Sequence, residues 1–593
     1  MKNLEDSLSK IVSNFLENHY NLLIDNFEFQ LTKKNFEGDL TLVLFPIVKR
    51  IKINPQEFAN KLGSYIIDIN QNIKKFNVVG GFLNLVINDS FYVEFIEKID
   101  KNIEYGHKEP SSASPTIMIE YSSPNTNKPL HLGHIRNNLL GFSISRILKA
   151  TGNNIIKTQI INDRGIHICK SMVAWYNFGN NETPESSGLK GDQLVGKYYV
   201  IFEKKFNEEI NSLQKDGYDK ESAIKNAPIM IQAREMLKKW ESNDSKIRSL
   251  WKKMNGWVYD GFAITYNDLG VDFDSYYYES ETYLLGKKII DQGLNKEIFY
   301  SKPDGSVWVD LRNEGLDEKI LLRSDGTAVY MTQDLGTVIK RFEDFPQIDS
   351  LIYTVGNEQD YHFKVLFAIL KKLGYSWADN LYHLSYGMVD LPDGKMKSRE
   401  GKVVDADNLI IEMRKTAKKI SEKQGKINDL DNKQKENLHN VIGLGALKYF
   451  ILKVDHRKRI LFNPEESVDF EGNTGPFIQY AYARIKSLLS KVSDNDFLKK
   501  HNVSLDIKEK EIIKQIMTYP DVLNSSAKNY SPAIIANYLY ELVRLYNSFY
   551  QNINILNEVN KEARSIRLFI SRSVANNIYS ASQLLGIKLP EKM

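Results

Sequence analysis

Residues 120–141, EYSSPNTNKPLHLGHIRNNLLG, decide the fold of this chain. Residues 116–121, which overlap the start of this stretch, place apolar side chains at the alternate positions 117, 119 and 121, as in a buried strand. Residues 135–149 then place leucine and isoleucine at helical spacing, and residues 155–161 read as a second strand. This order predicts a βαβ unit of roughly 30 or more residues, and with it an α/β fold built on a parallel sheet.

The turn before the predicted helix holds His131, Gly133 and His134. At the first turn of a helix, free backbone N–H groups and the positive end of the dipole favour anions. Gly133 has no side chain, so a flat ring or a phosphate can approach the backbone closely. The turn also lies at the C-terminal end of a strand, where parallel sheets bind ligands. These features predict a nucleotide whose phosphate gains charge during a reaction.

Chance and metal binding are the alternatives to a nucleotide site for this histidine pair. An HxxH spacing arises by chance on many helices. A zinc centre would need further ligands, and Cys169 is the only cysteine in the sequence. We therefore expect no protein-bound zinc, and we expect Cys169 to be a small buried hydrophobe.

Composition limits the classes of function. With 79 Lys+Arg against 75 Asp+Glu, the net charge of +4 excludes a polycation but permits a local basic surface for RNA. A single cysteine suits a reducing cytoplasm, and no apolar run approaches the ~18 residues of a membrane span. The amphipathic N-terminus is unlike a signal peptide. We expect a soluble cytoplasmic protein with no membrane or DNA partner.

At 593 residues the chain should form several domains. Residues 1–104 show a small α+β pattern, and residues 105–115 are a Ser/Pro-rich linker. The α/β section spans residues 116–436 and carries a charged helical insertion at about 180–260. Residues 437–593 are predicted to be almost wholly helical and are rich in tyrosine, arginine and lysine.

A second group of candidate functional residues lies in the basic segment at positions 390–404, DLPDGKMKSREGKVV. Lys395, Lys397, Ser398 and Arg399 follow a Pro-Asp-Gly turn. Cations on such a loop are suited to clamping a polyphosphate as pyrophosphate leaves. Alone the signal is weak, because most basic loops are simply solvated.

Together, the histidine turn and the basic loop resemble the HIGH and KMSKS elements of class I aminoacyl-tRNA synthetases. The wider sequence resembles the arginyl-tRNA synthetases over nearly its whole length. The runs that carry this resemblance are SSPNTNKPLHLGH ending at His134, NDRG at 162–165, LRSDGT at 322–327, TGPFIQY at 474–480, and FEGD at 36–39.

The resemblance implies a Rossmann-type parallel-sheet catalytic domain, an α+β N-terminal tRNA-binding domain and an all-α C-terminal anticodon-binding domain. The implied activity is that of an arginine–tRNA ligase. ATP, with Mg²⁺, activates L-arginine to arginyl-adenylate, and the arginyl group then passes to the 3′ end of tRNA(Arg). The chain is expected to act as a monomer. The open alternatives are a class I synthetase for another amino acid and an inactive relative that only binds RNA.

The resemblance also assigns residues to the ATP site. The expected catalytic residues are Lys128, His131, His134 and Lys397. The ATP-binding set adds Gly133, Lys395, Ser398 and Arg399 to these. In register with KMSKS, Lys397 replaces the first serine and Ser398 the second lysine. The lysine that meets the phosphates is therefore left open among Lys128, Lys395 and Lys397.

The resemblance further implies an arginine pocket that consists of Glu120, Asn125, Tyr330, Asp334 and Gln359. A free guanidinium requires carboxylate partners, preferably bidentate ones. Glu120 stands near the end of the first strand, and Asp334 follows residues 328–331, which we predict to be strand-like. As alternatives, Glu120 is an ordinary strand-end acid and Asp334 is a helix N-cap.

Overall fold

The computed structural model describes residues 2–33, 35–390, 405–424, 430–498 and 503–593. Its N-terminal part is a four-stranded antiparallel sheet in the order β1-β2-β4-β3, packed with helices. These elements are α1 (Lys2–Tyr20), β1 (Phe29–Leu31), β2 (Leu40–Val43), α2 (Phe45–Ile51), α3 (Pro55–Ile69), β3 (Ile73–Val79), β4 (Phe82–Ile87) and α4 (Asp89–Ile99). Helix α1 is amphipathic, and its buried face of Leu4, Leu8 and Val12 contributes to the core.

The middle of the chain alternates strands and helices. Its elements up to the insertion are β5 (Thr116–Glu120), α5 (Leu132–Ala150), β6 (Asn154–Ile161) and α6 (Ile166–Phe178). The insertion consists of α7 (Pro184–Ser187), α8 (Gly191–Lys215), α9 (Lys220–Asn226), α10 (Pro228–Glu241) and α11 (Ser245–Leu269). The helical insertion predicted at about 180–260 is thus helical in the structure and extends to Leu269.

The chain then returns to the sheet. The elements are β7 (Ser275–Tyr278), α12 (Glu279–Thr282), α13 (Gly286–Asn295), β8 (Phe299–Ser301), β9 (Val307–Val309), β10 (Lys319–Leu322), α14 (Tyr330–Asp344), β11 (Ser350–Gly356), α15 (Asp360–Lys372), β12 (Leu381–Tyr386), β13 (Val389–Asp390) and α16 (Ala406–Gln424). Five of the strands form one parallel sheet in the order β12-β11-β5-β6-β7, which confirms the predicted architecture. The strand order changes direction between β5 and β11, and ligands bind at such a switch point in open α/β sheets.

The prediction of a strand over residues 328–331 is wrong. Only a single bridge joins Ala328 to Leu322, and Val329 is already the N-cap of α14. The apolar pair 328–329 closes a turn in which Gly326 adopts a positive φ of 76°. Tyr330 is therefore the first residue of a helix.

In its described residues, the C-terminal part is helical apart from one short strand and the connecting loops. Its elements are α17 (Asn432–Leu452), β14 (Ile460–Leu461), α18 (Pro464–Ser467), α19 (Gly475–Leu489), α20 (Ile507–Met517), α21 (Tyr519–Lys528), α22 (Pro532–Asn552) and α23 (Lys561–Leu584). Strand β14 lies within the region predicted as helical and pairs with β13. No helix in the described parts of the chain has the length and apolarity to span a membrane.

Helix α5 is held along its length by other parts of the chain. Arg136 is 1% exposed and donates to the carbonyls of Met388 at 3.1 Å, His456 at 3.0 Å and Lys458 at 2.8 Å. Further along, the Ser143 hydroxyl donates to a carbonyl at the end of α23 at 2.9 Å. The N-terminus of α5, which carries the histidine turn, is therefore fixed relative to the rest of the molecule.

Candidate active site

The two histidines cap α5 reciprocally. His131 is the N-cap, and its Nδ1 accepts from the backbone N–H of Gly133 at 3.2 Å. His134 is the third helical residue, and its Nδ1 accepts from the backbone N–H of His131 at 3.2 Å. Since Nδ1 is the acceptor in both rings, each neutral imidazole carries its proton on Nε2. Both rings thus present an N–H donor on the side away from the backbone that they cap.

Both rings are neutral at physiological pH. Burial, together with the charge of the nearby Lys128, lowers the pKa of His131 to about 4. Burial also lowers the pKa of His134 well below its usual range, with His131 and Lys128 adding to the effect. The ring centroids lie 3.9 Å apart, a spacing that two cations would not tolerate. The histidines are therefore neutral donors, and Lys128 and the helix dipole supply the positive potential.

The basic loop predicted to clamp the phosphates falls on residues that the structure does not describe. Lys395, Lys397, Ser398 and Arg399 all lie outside the described residues. Asp405, the first described residue after this loop, forms an isolated antiparallel β-bridge with His131. The backbone N–H of the next residue, Ala406, donates to the carbonyl of Leu130 at 2.9 Å. Residues 405–406 therefore lie directly beside the histidine turn.

The predicted arginine pocket corresponds to a cleft of about 920 Å³ at the C-terminal end of the sheet. All five predicted residues line it: Glu120, Asn125, Tyr330, Asp334 and Gln359. They come from the end of β5, the loop after it, α14, and the turn that precedes α15. Their convergence at the switch point of the sheet agrees with the ligand position that parallel sheets favour.

Glu120 meets a guanidinium that belongs to the protein. It is 6% exposed, and its carboxylate forms an ion pair with Arg341, which is 1% exposed. Burial raises the pKa of Glu120, the Arg341 charge opposes that rise, and Asp334 adds to it. One oxygen of Glu120 is thus engaged by α14 before any ligand arrives.

Asp334 is the more accessible of the two predicted carboxylates. It lies in the second turn of α14, so both expectations for it, a position after a strand and an N-cap, are wrong. Its side chain is 42% exposed, and His362 donates to its Oδ2 from Nε2 at 2.6 Å. The bond to His362 fixes the carboxylate while leaving it open to the cleft.

One face of α14 supplies much of the cleft wall. The residues on that face are Tyr330, Gln333, Asp334, Thr337 and Arg341. Their spacing is helical, so a periodicity search starting at Tyr330 could have identified Arg341, which the sequence analysis missed.

Glu279 is a further cleft residue that the sequence analysis missed. It follows β7 directly and lines the cleft together with Arg164. The pKa of Glu279 is raised to about 7, chiefly by burial; Arg164 opposes the rise, and Asp163 and Asp334 add to it. The sequence pattern that could have identified Glu279 is the one used for Glu120, an acid at the end of a strand-like run.

Three family models match consecutive parts of the chain. The model "tRNA synthetases class I (R), catalytic domain" matches residues 98–463. The "Arginyl tRNA synthetase N terminal domain" matches residues 2–87, and the "DALR anticodon binding domain" matches residues 478–593. The chain belongs to the arginyl-tRNA synthetase family. This confirms the predicted family and its enzyme class, the class I ligases specific for arginine.

Individual relatives agree with the family assignment. The arginine–tRNA ligase of Flavobacterium psychrophilum is 56% identical over 600 residues, with 100% of both chains covered. That of Bacteroides thetaiotaomicron is 51% identical over 596 residues, again with 100% of both covered. The solved arginyl-tRNA synthetase of Thermus thermophilus matches with a TM-score of 0.73 over 99% of each chain, at 22% identity. That similarity to a solved structure supports the fold.

Proposed function

We propose that this family member activates L-arginine and charges tRNA(Arg) at the C-terminal end of its parallel sheet, with the substrates divided between two neighbouring sites. Arginine occupies the cleft, and the ATP phosphates lie at the N-terminus of α5. The carboxylate of arginine attacks the α-phosphate and pyrophosphate leaves; a hydroxyl of the 3′-terminal ribose of tRNA then attacks the arginyl carbonyl, and AMP leaves. Positioning and charge stabilisation are sufficient for both steps. The observation that carries the proposal is the convergence on one cleft of the five residues that the sequence resemblance assigned to the arginine pocket.

In the cleft, Asp334 and Glu279 are proposed to bind the guanidinium. Charge-assisted bonds between a carboxylate and a guanidinium are stronger than neutral ones and are often bidentate. Asp334 is suited to this role because His362 holds it in an accessible position. Tyr330, Asn125 and Gln359 add an exposed ring and amide groups for the remaining polar atoms of the substrate. Glu120 supports the pocket by tying β5 to α14 through Arg341.

At the α5 turn, His131 and His134 are proposed to donate from Nε2 to the phosphate oxygens. Neutral, pre-oriented donors stabilise charge that develops in the transition state without reorganisation. Gly133 keeps the turn open, because a Cβ at this position would lie 3.0 Å from Cε1 of His131 and displace the ring. Lys128 supplies positive charge, and Lys395, Lys397, Ser398 and Arg399 are proposed to complete the phosphate site. ATP is proposed to enter as its magnesium complex, with the ion held by the phosphates.

The tRNA is proposed to contact the N-terminal and C-terminal domains. On the C-terminal domain, the Arg484 guanidinium stacks on Tyr480 at 4.7 Å and on Tyr550 at 5.2 Å. Aromatic rings beside a cation are suited to unstacked bases. We propose that the enzyme works as a monomer in the cytoplasm, with domain boundaries near residues 104, 115 and 436.

The proposal is tested by aminoacylation of tRNA(Arg) with each of the twenty amino acids in turn. We expect arginine to be charged and the other nineteen to remain at background. Charging with a different amino acid would identify a class I synthetase of another specificity. Binding of tRNA without any charging would identify an RNA-binding module.

A further inference from the structure

The turn formed by residues 162–165 stood out in the sequence, and the proposed function gives no role to its Asp163 or to Arg164, which lines the cleft. We propose that Asp163 and Arg164 are positioning residues for the arginine pocket, which hold Glu279 in place and balance its charge. The proposal rests on the proposed function, in which Glu279 binds the guanidinium of the substrate. It also assigns a purpose to the helical insertion, whose helices α10 and α11 hold this turn.

Asp163 fixes the backbone beside Glu279. It is 1% exposed, and its carboxylate accepts from the backbone N–H of Ser280 at 2.8 Å and from the Ser280 hydroxyl at 2.7 Å. The Tyr259 hydroxyl donates to the same carboxylate at 2.8 Å. Because Ser280 directly follows Glu279, these bonds fix the point at which Glu279 leaves the sheet. The bonds also oppose the rise that burial causes in the pKa of Asp163.

Arg164 supplies the positive charge next to Glu279. Its guanidinium lies 4.0 Å from the ring centroid of Tyr283 and 5.5 Å from that of Trp240, and it forms an ion pair with Glu241 at 2.9 Å. Aromatic faces and a carboxylate therefore hold the planar group in one orientation. Arg164 and Glu279 both line the cleft.

Three charged groups on two elements influence Glu279. Arg164, on the turn after β6, favours its carboxylate, whereas Asp163 on the same turn and Asp334 on α14 disfavour it. With Arg164 in place, burial and these charges together raise the pKa of Glu279 to about 7. Removing Arg164 would therefore leave Glu279 largely protonated at neutral pH, and a neutral acid binds a guanidinium less strongly.

The insertion holds this turn from the other side. On α11, the Trp251 indole N–H donates to the carbonyl of Asp163 at 2.6 Å, and the Asn255 amide donates to it at 3.1 Å. On α10, Trp240 and Glu241 contact Arg164. Helices that lie outside the sheet thus determine the geometry of one carboxylate in the amino-acid pocket.

The test measures aminoacylation by the full chain with Arg164→Met and Arg164→Lys between pH 6 and pH 9. At pH 7 we expect Arg164→Met to raise the KM for arginine about five- to tenfold, as a rise of roughly one unit in the pKa of Glu279 would cause. The defect should shrink towards pH 9, the KM for ATP should stay within about twofold, and Arg164→Lys should retain most of the wild-type behaviour. Asp163→Asn should instead raise the KM for arginine at every pH, because it disturbs position.

Arg248→Met is the matched control. Arg248 stacks on the same Trp240 ring at 3.5 Å and donates to Asn243 at 2.9 Å, but it is absent from the cleft lining. We expect this variant to keep the wild-type KM for arginine across the pH range. The Arg164 variants should also keep a wild-type melting temperature to within the change seen for Arg248→Met.

A comparison in the Glu279→Gln variant distinguishes a loss of charge balance at Glu279 from a general disruption of the pocket. In Glu279→Gln, which lacks the titrating group, adding Arg164→Met should change the KM for arginine by less than about twofold. The proposal is overturned if the Arg164→Met defect is independent of pH, affects arginine and ATP equally, or is equally large in the Glu279→Gln background. If the wild-type enzyme itself does not charge tRNA with arginine, the proposed function fails before these variants are compared.

Discussion

Replacing Asp334 with asparagine should weaken arginine binding without disturbing ATP. Asparagine keeps the shape of the side chain and an oxygen that accepts from His362, which donates at 2.6 Å in the structure. The substitution removes the negative charge that a guanidinium would meet. It therefore isolates the charge-assisted part of the interaction from the packing of α14.

The size of the effect follows from the exposure of the side chain. A hydrogen bond to a charged group contributes about 1.5–3 kcal/mol, and the 42% exposure of Asp334 favours the lower end of that range. Two such bonds to a bidentate guanidinium give about 3 kcal/mol, which corresponds to roughly a 100-fold rise in the KM for arginine. The free energy of unfolding should change by less than about 1 kcal/mol, because an exposed pair contributes little to stability.

Steady-state aminoacylation with arginine or ATP as the varied substrate measures this prediction, and thermal melts measure stability. Glu343→Gln is the matched control, because it removes a carboxylate from an exposed position on the same helix, outside the cleft lining. A KM for arginine within threefold of wild type would refute the reasoning. Equal increases in the KM for arginine and for ATP would refute it as well.

Three other predictions concern the histidine turn, the buried ion pair and the response to pH. His134→Ala should lower the rate of ATP–pyrophosphate exchange, measured with tRNA present, by on the order of 10²–10³, while the KM for ATP changes much less; near-wild-type exchange would remove the residue from the catalytic set. Glu120→Gln should destabilise the fold by about 3–5 kcal/mol in denaturant unfolding, because it leaves Arg341 buried without its partner; an unchanged unfolding midpoint would contradict this. Burial lowers the pKa of His456 from its usual 6.5, so the folded state binds fewer protons than the unfolded state and loses stability as pH falls through and below 6.5. His456→Gln should reduce this loss by up to about 1.4 kcal/mol per pH unit, seen as a smaller drop in Tm from pH 7 to pH 5.5, and an unchanged drop would contradict the assignment.

The parts of the fold and site that could be predicted from the sequence depend on local patterns. Strand β5 was recognisable from its alternating side chains, and the turn at His131 from its spacing. Helix α5 begins at Leu132, three residues before its predicted start, because His131 and His134 cap it with their own side chains. Imidazole caps are outside the usual Ser, Thr, Asp and Asn preference on which such predictions rest.

The parts that could not be predicted depend on contacts between distant residues. Nothing near Glu120 in the sequence reveals that Arg341 is its partner, because β5 and α14 meet only in the folded chain. Residues 328–331 are too short and too apolar for periodicity to separate a strand from a helix start. Glu279 stands at the end of a strand-like run, but only the pairing of β7 with β6 in the sheet brings that strand end to the cleft.

The central claim is that the substrates bind at two neighbouring sites on one edge of the sheet. The guanidinium lies in the cleft, and the phosphates lie at the α5 turn. A crystal structure of the enzyme with tRNA(Arg) and a non-hydrolysable sulfamoyl analogue of arginyl-adenylate tests this directly. We predict that the guanidinium lies within hydrogen-bonding distance of Asp334 and Glu279, and that the sulfamoyl group accepts from Nε2 of His131 or His134. A guanidinium bound outside the cleft, or an adenosine that occupies the cleft in its place, would contradict the account.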